Sequence, residues 1–280
     1  MGKIGLKLLD KTSPFRKVAM GTWRVAKDPS VYGYMEVDVT RSLEMIEEYS
    51  RKKGVRVTLT HLVGKAVAHC LNQRPEINGM IRGSRIYLRD NVTLFFQVNI
   101  PGKGPDKIKE ATLSGCTVEN AENLSSAEIA DKIQKKVELI RSHKDPEFSK
   151  NMDMFKFIPW FLCGWYLDLA SFLIYGLNWD LKFLGLPRDP FGSVMITNVG
   201  SLGIDVAYAP LCPYTRVPLL VTMGAVKKKP WVVDDQIQIR QIMSVTVTFD
   251  HRMIDGIHAA KLSEEFKKCF ENPEDFLLKE

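Results

Sequence analysis

The chain has few cysteines, few long uncharged runs, and none of the patterned charge that marks a nucleic-acid surface. Its five cysteines, at 70, 116, 163, 212 and 269, are odd in number and lack C-x-x-C spacing. That pattern excludes a disulfide framework and reads as reduced intracellular thiols, mostly buried. Basic residues outnumber acidic ones only 39 to 33, for a net charge of +6. Lys227-Lys228-Lys229 is the one tight basic run and no basic–aromatic repeat accompanies it, so no nucleic-acid partner is expected. The N-terminus is too polar for a signal peptide and lacks the Ser or Thr that myristoylation favours, so a cytoplasmic location is expected. No Pro/Ala-rich linker, repeat or low-complexity stretch divides the chain. One domain over 1–280 is the expectation.

With 45% hydrophobic and 26% charged residues, there is enough apolar material for a sizeable core without a metal. Strand-like alternation appears at 32–39, 85–88, 92–100, 111–118, 191–200, 218–226 and 236–249. Helical spacing appears at 41–53, after a Thr40 cap, at about 61–72 after Thr58 or Thr60, at 126–144 and at 259–270. Residues 1–30 read as a helical entry segment, Arg89–Asn91 as a tight join between two strands, and Lys227–Pro230 as a turn. His61 and His69 read as packed or surface residues, because no carboxylate or cysteine sits near them at metal spacing. Gly102-x-Gly104 lacks the following helix a phosphate cradle needs.

The segment 155–187 stands apart. Residues 157–167 carry no charge, and Asp168 interrupts the run near its middle. With Pro159, Gly164 and Gly176 also breaking it, the segment reads as two buried or interfacial helices rather than a membrane span. Its surplus of aromatic residues fits an apolar tunnel, a subunit interface or a membrane surface.

The chemistry concentrates at Thr246–Gly256. A β-branched strand runs into Asp250, His251 and Arg252; Asp255 and Gly256 follow, and then a helix. An H-x-x-x-D match alone is expected by chance on the order of one time in four in a chain with this many histidines. A histidine where a rigid strand ends is a stronger signal, because loop ends on a scaffold carry working residues. A metal site at His251, Asp255 and His258 is disfavoured by Arg252 in its midst.

Three motifs in order then become specific: Met195–Gly203 with Thr197, Asn198 and Gly200; Pro218–Val226 with Gly224; and Val247–Ala260 with Asp250, His251, Arg252, Asp255 and Gly256. Together they resemble the catalytic domain of the 2-oxoacid dehydrogenase complex acyltransferases. Arg16-Lys17-Val18, Glu36–Thr40, Thr58–Thr60 and Pro75–Asn78 extend the resemblance over nearly all of the chain. It implies a chloramphenicol acetyltransferase-like α/β (α+β) fold, a mixed-sheet sandwich with helices that forms trimers.

The resemblance also implies acyl transfer between coenzyme A, as co-substrate, and a thiol such as dihydrolipoamide. His251 would be the general base, which a neutral imidazole can be near pH 7. Thr197 would donate its hydroxyl to the oxyanion. Asp255 would belong to the catalytic set with them and pair with Arg16 in a salt bridge holding the histidine loop, with Arg16, Asn198, Gly256 and Arg252 supporting the site. The site would lie between subunits of a homotrimer, His251 facing Thr197 of a neighbour. The assembly would be a homotrimer or a larger assembly of trimers.

The chain departs from that pattern in three ways. No lipoyl or subunit-binding domain is recognisable, so lipoamide is expected only in trans, on a separate lipoyl-bearing protein. Pro101–Pro105 replaces an apolar run that shapes the coenzyme A channel. The segment 155–187 is longer and more apolar than the corresponding helices. The alternative is a non-catalytic oligomeric scaffold on the same fold, with membrane contact through 155–187 the lesser expectation.

Overall fold

The computed structural model describes residues 5–9, 11–22, 28–100, 112–141, 158–179 and 189–279. Its organising element is a six-stranded mixed sheet built from β2 (Ser30–Asp38), β5 (Leu94–Ile100), β6 (Thr112–Val118), β7 (Val194–Asn198), β8 (Leu219–Val233) and β9 (Gln236–Asp250). The spatial order is β2-β9-β8-β7-β5-β6. β5, β7 and β8 run parallel, and the other pairs are antiparallel. A three-stranded antiparallel sheet, β1 (Leu6–Leu8), β4 (Arg85–Arg89) and β3 (Gly79–Arg82), stands beside it in the order β1-β4-β3.

Side chains alternate across the six strands, so the sheet has two different faces. Val37, Val245, Val221 and Ile196 lie on one face and are buried in the main core. Helices α3 (Leu59–Gln73), α4 (Ser126–Arg141) and α6 (Gly256–Glu271) supply Leu62, Val63, Ile129, Phe266 and Phe270 to that core. The other face carries the row Thr197, Thr222 and Thr246, in register on adjacent strands. The segment 204–212 crosses it, where Thr246 Oγ1 donates to the Ala207 carbonyl at 2.5 Å and Thr248 Oγ1 to Ala209 at 2.7 Å.

The local signals fix most helix starts. Thr58 occupies the cap of α3, and its backbone N–H donates to His61 Nδ1 at 3.1 Å. Ser125 and Glu128 exchange hydrogen bonds ahead of α4, closing a capping box. Thr40, expected as a cap, is instead the first residue of α2 (Thr40–Lys53), because Asp38 accepts from both its N–H and its hydroxyl.

Other expectations need correction. The entry segment holds β1 as well as α1 (Pro14–Thr22). The strands at 85–88 and 92–100 are not hairpin mates but belong to different sheets, and β4 pairs instead with β3, which has no alternation of its own. Lys227–Pro230 is no turn: β8 and β9 continue as a two-stranded ribbon to Val233 and Gln236. Pro230 is tolerated there because β7 pairs only with 220–223, leaving that side of β8 an edge.

Of the two readings of the apolar segment, buried or interfacial, the exposure of its helix rules out the first and leaves the second. α5 (Trp160–Ser171) runs on into a wide turn at Phe172–Gly176, and much of it is exposed rather than buried: Trp160 is 87% exposed and Trp165 66%. Its end is anchored by Ile174 and Tyr175 packing on Met80 and by Arg82 Nε donating to the Gly176 carbonyl at 2.8 Å. Residues 155–157 and 180–187 lie outside the described residues, as do 101–105 and 142–144. Among the described residues no helix is long and apolar enough to cross a membrane.

Candidate active site

β9 ends at Asp250, and the buried Asp250 organises the turn that follows. Its carboxylate accepts from the Arg252 backbone N–H at 2.9 Å and takes the Arg252 guanidinium in a two-pronged contact at 3.0 and 2.7 Å. Its carbonyl accepts from Met253 and Ile254. The His251 N–H is meanwhile tied to the Pro29 carbonyl at 2.9 Å. The backbone around the histidine is therefore fixed on both sides.

The ring of His251 is fixed as well. Its Nδ1 lies 3.0 Å from the Ile254 carbonyl oxygen. A carbonyl can only accept, so Nδ1 carries a proton, and in the neutral ring the lone pair lies on Nε2. The arrangement presents one basic nitrogen in a set direction, as a general base requires.

The far side of the loop rests on Arg16. Its Nη2 lies 3.0 Å from Asp255 Oδ2, and its Nη1 reaches the His251 carbonyl at 3.5 Å. Both partners are largely buried, the Arg16 side chain 11% exposed and Asp255 21%. Asp255 also caps α6, accepting from the His258 N–H at 3.2 Å, and its Oδ1 lies 2.7 Å from His258 Nδ1. Burial is the largest single influence on Asp255 and pushes its carboxyl up. The His258 backbone N–H, the His258 ring and Arg16 together outweigh it and hold the carboxyl below the usual aspartate range. Gly256 follows with nothing within 4 Å of where a Cβ would stand, so the described chain gives no steric reason for a glycine.

Thr197 stands elsewhere. It is the penultimate residue of β7, on the sheet face turned away from the helices, and register places it opposite Thr222 and then Thr246. His251 is five residues beyond Thr246 and two strands across, so the two lie roughly 20 Å apart within one chain. Asn198, next to Thr197, donates from Nδ2 to Thr60 Oγ1 at 2.9 Å and accepts from the Ser201 N–H at 3.0 Å, pinning the turn after β7 to α3. Gly200 in that turn is required: a Cβ there would stand 2.3 Å from the Gly224 carbonyl oxygen.

Of the residues singled out from the sequence, His251, Arg252, Asp255 and Gly256 share the passage from β9 to α6, and Arg16 of α1 packs against it. Thr197 and Asn198 form a second cluster. Sequence reasoning missed Ile254, whose contribution is a backbone carbonyl without any side-chain signature. It also passed over His258 except as a metal ligand, although Asp255 three residues before it is the pattern of a helix cap. Among the described residues no cluster of three or more metal-ligating side chains occurs.

A family model described as 2-oxoacid dehydrogenases acyltransferase (catalytic domain) matches residues 11–147 and 191–278. The chain belongs to that family. The stretch between the two matched parts contains the exposed α5. A succinyltransferase component of the 2-oxoglutarate dehydrogenase complex from Bartonella vinsonii subsp. berkhoffii is 26% identical over 251 residues, 88% of this chain and 48% of the relative. The chain thus spans about half the length of that relative.

Two solved structures, each 17% identical, share the fold. The cubic core of the pyruvate dehydrogenase multienzyme complex superposes with a TM-score of 0.63, covering 95% of this chain and 93% of the other. A dihydrolipoamide acetyltransferase from Azotobacter vinelandii, investigated for the role of a serine, a histidine and an asparagine in its catalytic mechanism, gives the same score and coverage.

Proposed function

We propose that the chain transfers an acyl group between the thiol of coenzyme A and that of dihydrolipoamide or a similar acceptor. The observation that carries this reading is the hydrogen bond from His251 Nδ1 to the Ile254 carbonyl, which leaves the lone pair on Nε2. Nε2 takes the proton from the attacking thiol. The sulfur then bonds to the thioester carbonyl carbon and the carbonyl oxygen becomes an oxyanion. Collapse breaks the old C–S bond, and the departing sulfur takes the proton back from the imidazolium.

The oxyanion needs a donor, and Thr197 is the candidate. At roughly 20 Å within one chain it cannot serve the same His251. We therefore assign the working site to two copies, His251 from one and Thr197 from its neighbour, in a homotrimer or an assembly of trimers. Kinship to a protein whose relatives form a cubic core supports such an assembly. The histidine and asparagine of the Azotobacter protein stand four positions apart, as His251 and Asp255 do. We give Asp255 a positioning role: it caps α6 and binds Arg16, so it holds the loop rather than touching the acyl group.

The test is acyl transfer from acetyl- or succinyl-coenzyme A to free dihydrolipoamide. Wild type is expected to turn over at least about a hundredfold faster than His251→Ala. Equal rates for the two proteins with both donors would overturn the proposal.

A further inference from the structure

A cavity of about 230 Å³ lies between the helix-side face of the sheet and helices α3 and α6. Val67 and Leu71 of α3, Val221 of β8, Val247 and Phe249 of β9 and Leu262 of α6 form its walls. It opens between β2 and α6, where Gly33, Met35, Ala259 and Ser263 are partly exposed. The narrow side chains at this mouth are what keep it open. A Cβ on Gly33 would stand 2.8 Å from Val247 Cγ2, so a larger residue there would close on the opposite strand.

The lining decides what can occupy it. The few polar groups at the wall are already engaged: Ser263 Oγ donates to Met35 Sδ at 3.4 Å, the Cys70 thiol points to the Leu262 carbonyl at 3.9 Å, and the Tyr34 hydroxyl donates to Glu36 at 2.8 Å. Ordered water needs two to four polar partners, which this predominantly apolar wall does not bring together. An apolar cavity of about 150 Å³ holds a six-carbon ring, so by volume this one accepts about eight or nine carbons. A charged group would not match the apolar wall.

The cavity also adjoins the histidine loop. Phe249 is two residues ahead of His251, about 7 Å along the strand. Ala259 is in the first turn of the helix that Asp255 caps.

We propose that this cavity is a binding site for an aliphatic chain of about eight carbons. The chain belongs either to an acyl thioester presented to His251, which rests on the acyl-transfer reading above, or to a free fatty acid. The chemistry recognised is the same in both.

Titration calorimetry of the full chain with octanoate and with acetate tests the proposal. Octanoate is expected to bind saturably at one site per chain, and acetate not to bind. Ala259→Leu, which fills the mouth from a helix position, is expected to weaken octanoate at least tenfold. Ser263→Leu serves as a second filling variant should the first fail to fold by circular dichroism. Trp165→Ser, on the exposed aromatic helix, is expected to change nothing. Absence of octanoate binding, binding unaffected by both filling variants, or binding lost in Trp165→Ser would overturn the proposal.

Transfer assays separate the sources. A fall in the octanoyl-to-acetyl ratio of kcat/KM in Ala259→Leu assigns the site to the acyl chain. An unchanged ratio with lost binding assigns it to a free fatty acid. Should no thioester turn over at all, the calorimetry still decides the cavity independently of the enzyme.

Discussion

Arg16 and Asp255, 239 positions apart in the chain, meet at 3.0 Å and close the base of the His251 loop. One contact therefore joins the N-terminal helix to the cap of α6 and to the histidine backbone.

Asp255→Ala removes a helix cap and leaves Arg16 largely buried without its carboxylate. A loss of about 2 kcal/mol is expected by urea denaturation, together with reduced kcat. Asp255→Asn keeps an acceptor for the His258 N–H and should recover most of the stability. Because the Asp255 carboxyl is held below its ordinary range, its contribution is present above pH 3.8 and lost as pH falls through the lower folded value. The wild-type stability advantage over Asp255→Asn should shrink below that pH.

His61 provides a second pH dependence of different origin. Burial pushes its pKa down from 6.5 to about 4, so in the native state it stays neutral while the unfolded chain takes up a proton. Stability is unaffected above pH 6.5 and falls between there and about 4, by up to about 3 kcal/mol. His61→Gln retains a capping-box acceptor for the Thr58 N–H without titrating. Its stability should stay flatter over that interval, measured by denaturation at successive pH values. An unchanged slope would show that another group titrates.

Thr197→Val removes a hydroxyl from a β-branched strand position with little change of shape. The oxyanion role predicts a fall in kcat of about a hundredfold with KM little changed, and recovery in Thr197→Ser. An equal loss in both variants would point to packing instead.

The inserted helix separates anchoring from exposure. Tyr175 is fully buried against Met80, and Tyr175→Ala is expected to cost roughly 3 kcal/mol. Trp160 and Trp165 project into solvent, so replacing both by serine should leave Tm nearly unchanged. The same pair should reduce concentration-dependent association in sedimentation velocity, because the replaced surface is an exposed apolar patch.

These positions show where the sequence was readable. The strand-to-helix passage around His251 was legible because β-branched alternation, a polar turn and helical spacing follow one another within Thr246–Phe270. Thr58 and Ser125 declared their helices through local hydrogen-bonding chemistry. β3 was not legible, because Gly79–Arg82 is short, nearly all buried and lacks a period of two. The unbroken β8 was hidden by Lys227–Pro230, whose turn-like composition reflects an edge rather than an end. The apolarity of α5 predicts a buried or an interfacial helix, and composition does not say which, because it does not say what covers a helix. The separation of Thr197 from His251 follows only from strand order, which no local pattern encodes.

On the proposed acyl-transfer reading, His251 and Thr197 act across two copies of the chain. Co-refolding His251→Ala with Thr197→Val tests it directly. Mixed oligomers should contain some interfaces with both residues intact and regain transfer activity well above the sum of the two separate variants. Activity no greater than that sum, in oligomers shown to be mixed, would contradict the shared site.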